Sequence, residues 1–138
     1  MVYGKEIKVL SQGFSDIHDI TPQVQEIIAD SGATAGLVGI STIGSTASIT
    51  TIEFEPALVQ DFKNKLEEFA SRYWESLHSK TWGDDNGFSH VRASMMGPGV
   101  TLPFKDQKLI LGKWQQIVVV DHDNRARKRR IYVQIVGE

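Results

Sequence analysis

The sequence predicts an α+β fold: one domain over residues 1–138, mostly antiparallel β-sheet or sandwich, with about three helices packed on it. Three observations carry this prediction. Short segments alternate polar and apolar residues, as half-buried strands do. Two segments opened by proline carry apolar residues at three- and four-residue spacing, the period of an amphipathic helix. The C-terminal third is a succession of strand patterns separated by polar turns.

The first strand is expected over residues 6–10, where Ile7, Val9 and their polar neighbours alternate, with Gln12-Gly13 turning the chain. Thr21-Pro22 reads as a helix entry, with Thr21 capping free N–H groups and Pro22 losing no hydrogen bond. Val24, Ile27 and Ile28 form the stripe of that helix, and Gly32 ends it. Residues 37–40 read as a buried strand. A loop or bulge near Gly44-Ser45 precedes another strand over residues 49–54. Pro56 opens the second helix, whose Leu58, Val59, Phe62, Leu66 and Phe69 are expected against the sheet, while Asp61, Lys63, Lys65, Glu67 and Glu68 face water.

Between residues 73 and 87 periodicity vanishes while Trp74, His78, Trp82, Asp84, Asp85 and Asn86 accumulate, so the chemistry is placed here. A third helix is expected from about Phe88 to Met96, stopped by Gly97-Pro98. Residues 100–104 and 109–111 then form a hairpin around residues 105–108. Residues 115–121 and 130–136 form a second hairpin around Asn124-Arg125.

Composition narrows the functional classes. With 41% hydrophobic and 23% charged residues the chain is an ordinary packed protein. A net charge of -2 supplies no overall field for nucleic acid or an anionic membrane. The one dense basic run, residues 125–130, reads as a solvated face or subunit interface, with phosphate capture the minor reading, so nucleic acid is an unlikely partner. Without cysteine, any metal ligands must be histidines or carboxylates. No signal peptide or membrane-spanning run is visible, so a cytoplasmic location is expected.

His78 and His90 stand out because imidazole titrates near neutral pH; they are candidates for proton transfer or metal binding, against the plain alternative of surface histidines. His18 and His122 take that plain reading. Asp84, Asp85 and Asn86 can orient a histidine or hold hydrated Mg²⁺ on a diphosphate, or simply form a turn and a helix cap. For Asp84 the turn is favoured. Arg92 and Ser94 can contact phosphate, with Arg92 equally able to sit in solvent. Trp114 and Gln115 can bind an aromatic ring by face and edge, or serve as core and strand-end residues. No Gly-rich phosphate loop, Ser-His-Asp order or two-histidine helix motif is present.

The run Asn86-Gly87-Phe88-Ser89-His90-Val91-Arg92-Ala93-Ser94 resembles the Asn-x-x-x-His-φ-x-Ala-Ser segment of the YjbQ-like, secondary thiamine-phosphate synthase family. Leu111-Gly112-Lys113-Trp114-Gln115 is similar to that family's Leu-Gly-Thr-Trp-Gln signature, followed by a strand with an acidic end at Asp121 and Asp123 and a final Gly137-Glu138. Upstream, Ile20-Thr21 and Thr46-Ala47-Ser48-Ile49 before Glu53 match the family layout. The sequence departs from it at Gly44, where the family pattern His-Thr-Thr-Ala-Ala begins with histidine, and at Ile52, where the family has Asn.

The resemblance implies a mostly β fold with helices on one side, homotrimeric subunits and a polar cleft of histidine-bearing loops. It implies a transferase coupling a pyrimidine diphosphate to a thiazole phosphate, with Mg²⁺ on the diphosphate or a histidine-bound Zn²⁺. On that reading His90, His78, Asn86 and Asp85 are catalytic, and His78 and His90 are the metal candidates. Arg92, Ser94, Trp114, Gln115, Thr46 and Glu53 bind a small phosphorylated heterocycle. Gly44 predicts weakened or lost activity. The alternative is a non-catalytic small-ligand binding or assembly protein.

Overall fold

Proline and glycine punctuation places most elements where alternation and helical spacing predict them. A computed structural model describes residues 1–138. In chain order the strands are β1 (Val2–Ser11), β2 (Asp16–Asp19), β3 (Ala35–Thr42), β4 (Ala47–Glu53), β5 (Gly99–Lys105), β6 (Lys108–Leu109), β7 (Gln115–Asp121) and β8 (Arg127–Gly137). The helices are α1 (Thr21–Ser31), α2 (Pro56–Phe69), α3 (Leu77–Trp82) and α4 (Gly87–Met96). The fold is α+β with four helices, one more than expected: α3 is a six-residue helix inside the aperiodic segment, too short to show a period.

All pairings are antiparallel, in a five-stranded sheet ordered β1-β8-β3-β5-β6 and a three-stranded sheet ordered β2-β7-β4. The expected hairpin between β7 and β8 is not formed. β7 is the centre of the small sheet and β8 lies between β1 and β3 in the large one, so residues 122–126 carry the chain from one sheet to the other. Alternation identified both strands but could not choose their partners, because pairing depends on contacts distant in sequence.

Ile117 and Val119 of β7, Ile49 of β4, and Ile131, Val133 and Ile135 of β8 meet in the main core, with Val24, Ile27 and Ile28 of α1. The alternate β7 residues, Val118 and Val120, face the other way with Ile17, against Val59 and Phe62 of α2 and Met96 of α4. β7 is therefore buried on both faces, which accounts for its unbroken Ile-Val-Val-Val run.

Two local expectations change. Thr21 is not the cap of α1: Asp19 Oδ1 accepts from the Thr21 N–H at 2.9 Å, while Thr21 Oγ1 accepts from the Ile117 N–H at 2.8 Å. An acidic neighbour has taken the capping task and freed the hydroxyl to tie helix to strand. In α2 only Leu66 is buried; Phe69 is 54% exposed, and Glu67, expected in water, is drawn inward by two arginines. Gly32 ends α1 at φ 75°, as expected of a left-handed closing residue.

Candidate active site at the sheet crossover

The chain passing from β7 to β8 ends its apolar run in Asp121, His122 and Asp123, all three buried. Such charges are tolerable inside only when paired. Arg129 grips Asp121 with two bonds of 2.7 Å and donates to Thr46 Oγ1 at 2.6 Å. Thr46 in turn donates to Asp123 Oδ2 at 2.9 Å, where Arg127 also binds at 2.5 Å. Burial pushes the Asp123 carboxyl upward, but donation from the Asn124 N–H, Thr46, Arg127 and Asn86 outweighs it and holds the group below the usual carboxylate range.

Asn86, which precedes α4, links this network to the histidines. Its amide lies between two carboxylates. Turned one way it donates to both oxygens of Asp84 at 3.0 and 3.1 Å and reaches His78 Nε2 at 3.3 Å; turned the other way it donates to Asp123 Oδ1 at 3.3 Å. His78 Nε2 lies 3.2 Å from Asp84 Oδ2, and the His78 and His90 rings meet at 4.6 Å with planes tilted by 57°. Burial, then the neighbouring His78, lowers the pKa of His90 below the ordinary imidazole value, with Asp123 and Asp84 pulling weakly the other way. His90 is therefore predominantly neutral at pH 7.

His90 and Asn86 open onto a cleft of 530 Å³ whose wall is the basic run. Arg125, Arg127, Lys128 and Arg130 line it. Arg127 is tied to Asp123 and Arg130 to Glu6, whereas Arg125 and Lys128 form no ion pair. Gly44 and Ser45 form the opposite lip. A Cβ at Gly44 would lie 2.9 Å from Arg129 Nη1, so the Arg129 guanidinium sits where a side chain at position 44 would begin.

The structure gathers His78, His90, Asn86 and Thr46 into one neighbourhood and disperses the other expected site residues. Asp85 lines a different cavity, and Asp84, for which the turn is the favoured sequence reading, takes the histidine contact. Arg92 does not face the cleft. It is 1% exposed, donates twice to the Ala70 carbonyl and once to Ser15, and pairs with Glu67 at 3.1 Å. Its donors are spent on the interior.

Ser94 is exposed and bonds the His90 carbonyl within its own helix. Trp114, 64% exposed beneath Lys113, Gln115, which reaches Thr51, and Glu53, its partner in register, lie at the far end of β7. Six residues of strand separate that end from Asp121, roughly 20 Å. The residues that sequence reasoning missed are Asp123, Arg127 and Arg129. An acidic pair ending one strand and a basic run opening the next were the available signal.

Within one chain no group of three or more histidine, aspartate or glutamate side chains is arranged to hold a metal ion.

The family model described as UPF0047 protein YjbQ-like matches residues 5–138. The UPF0047 protein of Methanocaldococcus jannaschii is 30% identical over 139 residues, covering 100% of this chain and 96% of that protein. Among solved structures, a YbjQ-like protein of unknown function from Sulfolobus solfataricus superposes with a TM-score of 0.94 at 34% identity, covering 100% of this chain and 99% of that one. A hypothetical protein from Aeropyrum pernix superposes with a TM-score of 0.91 at 25% identity, with 99% of each chain covered. With the family pattern running through nearly its whole length and the fold shared end to end, this chain belongs to the YjbQ-like UPF0047 family.

Proposed function

We propose that the cleft binds the phosphate groups of a small phosphorylated heterocycle and that His90, backed by His78, handles a proton beside them. The observation that supports this most is the meeting of a desolvated imidazole with a basic wall, where Arg125 and Lys128 lack acidic partners. Unpaired cations beside a polar hollow favour a multiply charged anion. The family resemblance supplies the finer reading, a thiamine-phosphate synthase-like transferase. In that reaction the thiazole ring nitrogen bonds to the methylene carbon of the pyrimidine diphosphate as its C–O bond breaks, and pyrophosphate leaves with the bonding pair. Mg²⁺ would enter with the diphosphate, held largely by phosphate and water oxygens. The same resemblance supports self-association as a homotrimer.

The second reading is a non-catalytic anion-binding or assembly protein, favoured by Gly44: Arg129 has closed over the position where the family pattern carries histidine. Purified protein incubated with Mg²⁺ and both phosphorylated rings separates the two. Formation of thiamine phosphate, lost in His90→Asn, supports transfer; no product from the wild type or from Gly44→His leaves binding alone.

Anion binding itself is tested by calorimetry with pyrophosphate. Arg125→Ala with Lys128→Ala should weaken it at least about tenfold. Because burial and the neighbouring His78 hold the His90 pKa below its ordinary value, the ring gains its charge at lower pH than a free imidazole, and lowering the pH from 7 to 5 should strengthen binding in the wild type more than in His90→Asn. Equal gains in the two proteins would remove His90 from the site.

A further inference from the structure

On the other side of the Asp84–Asn86 turn lies a second cavity, of 690 Å³, which the histidine cleft does not use. Asp85 and Asn124 form its share of the dividing wall, and Asn124 binds that wall together by donating to the Asp84 carbonyl at 2.8 Å. Phe14, Arg72, Tyr73 and Trp74 give it an aromatic and cationic lining.

Its floor is a stack of flat groups. The Arg72 guanidinium lies 4.4 Å over Phe14, and Phe14 stacks on Phe88 at 6.2 Å with planes 7° apart. Arg92 closes the stack 4.9 Å from Phe88, and both guanidiniums are tied to Glu67, at 2.6 and 3.1 Å. This arrangement fixes the orientation of the exposed edge, as a receptor for a flat ligand requires.

The backbone around it is held in an uncommon state. Phe14 has φ 53°, an outlier for a bulky side chain, and Ser15 follows at 61°. The interior pays for this: the Phe14 N–H bonds the Asp123 carbonyl at 2.7 Å, and Ser15 is clamped between Arg92 and His122. Asp85, across the cavity, is also left-handed at 56°. Strain retained at the walls of one hollow marks a place where geometry matters beyond folding.

At the mouth Tyr73 is 85% exposed and Trp74 half exposed, two rings left in water. The carboxylates of Asp85 and Glu75 line the cavity without a hydrogen-bond or ion-pair partner. They are free acceptors. We infer that this cavity binds a planar heteroaromatic ring bearing an amino group, its faces covered by the aromatic and guanidinium lining and its amino group donating to Asp85 or Glu75. The inference stands apart from the phosphate reading of the neighbouring cleft, since the two hollows share no lining residue and the Asp84–Asn86 turn with Asn124 lies between them.

Adenine, which has the ring and the amino group but no phosphate, tests the cavity alone. The three tryptophans, Trp74, Trp82 and Trp114, give three indole N–H signals in a ¹H–¹⁵N spectrum, assigned by single Trp→Phe variants. Titration should shift the Trp74 signal saturably and leave Trp114 in place. The double variant Glu75→Ala with Asp85→Ala, and Tyr73→Ala, should each weaken that binding at least about fivefold. Because all three side chains are exposed, these variants are expected to fold, and an unchanged spectrum elsewhere verifies it. An unmoved Trp74 signal, equal shifts at all three tryptophans, or undiminished binding in both variants overturns the inference. Adenine binding without pyrophosphate binding keeps the ring site and removes the phosphate reading; the reverse result removes only the ring site.

Discussion

His122 illustrates how much of this molecule is decided by single side chains that sequence cannot rank. Fully buried, it has its pKa pushed down to about 3, chiefly by burial and then by the Arg92 charge. Ser15 Oγ accepts from Arg92 Nη1 at 3.0 Å, which directs its own proton to His122 Nδ1 at 2.8 Å. The ring proton then sits on Nε2, which meets no acceptor, so a second proton has no place. In the unfolded chain the imidazole titrates near its ordinary value of about 6.5. Between that pH and about 3 the unfolded state binds more protons, so stability falls as pH falls through this window. The slope from this one group reaches at most about 1.4 kcal/mol per pH unit. Urea denaturation at pH 7, 6 and 5 should show the loss. His122→Gln should be less stable at pH 7 but less sensitive to acid, and an unchanged slope would assign the loss to other groups. Asp123, whose carboxyl is held low, adds its own loss as pH falls through the usual carboxylate range and below it. His78, His90 and Asn86 were legible because they lie within thirteen positions of one another on one loop and helix. Arg92 was not: Ser15, Glu67 and Ala70, which claim its donors, are remote in sequence.

At the scale of elements, periodicity located strands and helices well and misjudged their depth. The α2 stripe treats Leu66 and Phe69 as equivalent, since three-residue spacing puts both on one face. The structure separates them: Val59 and Phe62 pack against the small sheet and Leu66 is buried one turn on, whereas Phe69, the last residue of the helix, points into solvent. Leu66→Ala should therefore cost about 2–5 kcal/mol of unfolding free energy, as truncation of a buried leucine does. Phe69→Ala should stay within about 0.5 kcal/mol of the wild type. Guanidinium unfolding curves of the two variants check this, and comparable losses would mean that Phe69 is covered in solution. The β7–β8 connection has the same lesson. A turn signal at Asn124-Arg125 marks a reversal, but whether the strands pair is settled by the partners each finds elsewhere. Because β8 departs for the large sheet, its arginines return beside the acidic end of β7 and form the network that holds the cleft.

The whole molecule leaves one large surface without a cover. Helices α2 and α4 shield the outer face of the small sheet, and α1 closes the main core, but no helix lies over the outer face of the five-stranded sheet. The register there aligns Val2, Val136 and Leu37 across three adjacent strands, with Pro103 beside Leu37 on the fourth. These side chains form an apolar band rather than scattered residues: Val2 is 68% exposed, Leu37 52% and Val136 52%. Farther along the face Tyr132 lies flat over Gly4, where a Cβ would come within 2.1 Å of its hydroxyl oxygen. The glycine keeps the surface level at that point. A broad, level face with an apolar band suits another copy of the same chain, and in a closed ring of three it would pack head-to-tail against a different patch of the next copy. If the chain self-associates as proposed above, this face is one of the two that would meet, and that expectation has a specific test. Sedimentation equilibrium should give the mass of three 15.4 kDa chains for the wild type. Leu37→Lys should shift the distribution toward monomer while leaving the far-ultraviolet spectrum unchanged, since the side chain already faces water and the substitution leaves strand pairing intact. A wild type that stays monomeric at about 100 μM, a concentration at which even weak specific interfaces are occupied, would show that this face is free. Trimers of undiminished stability in Leu37→Lys would place the interface on a different face of the molecule.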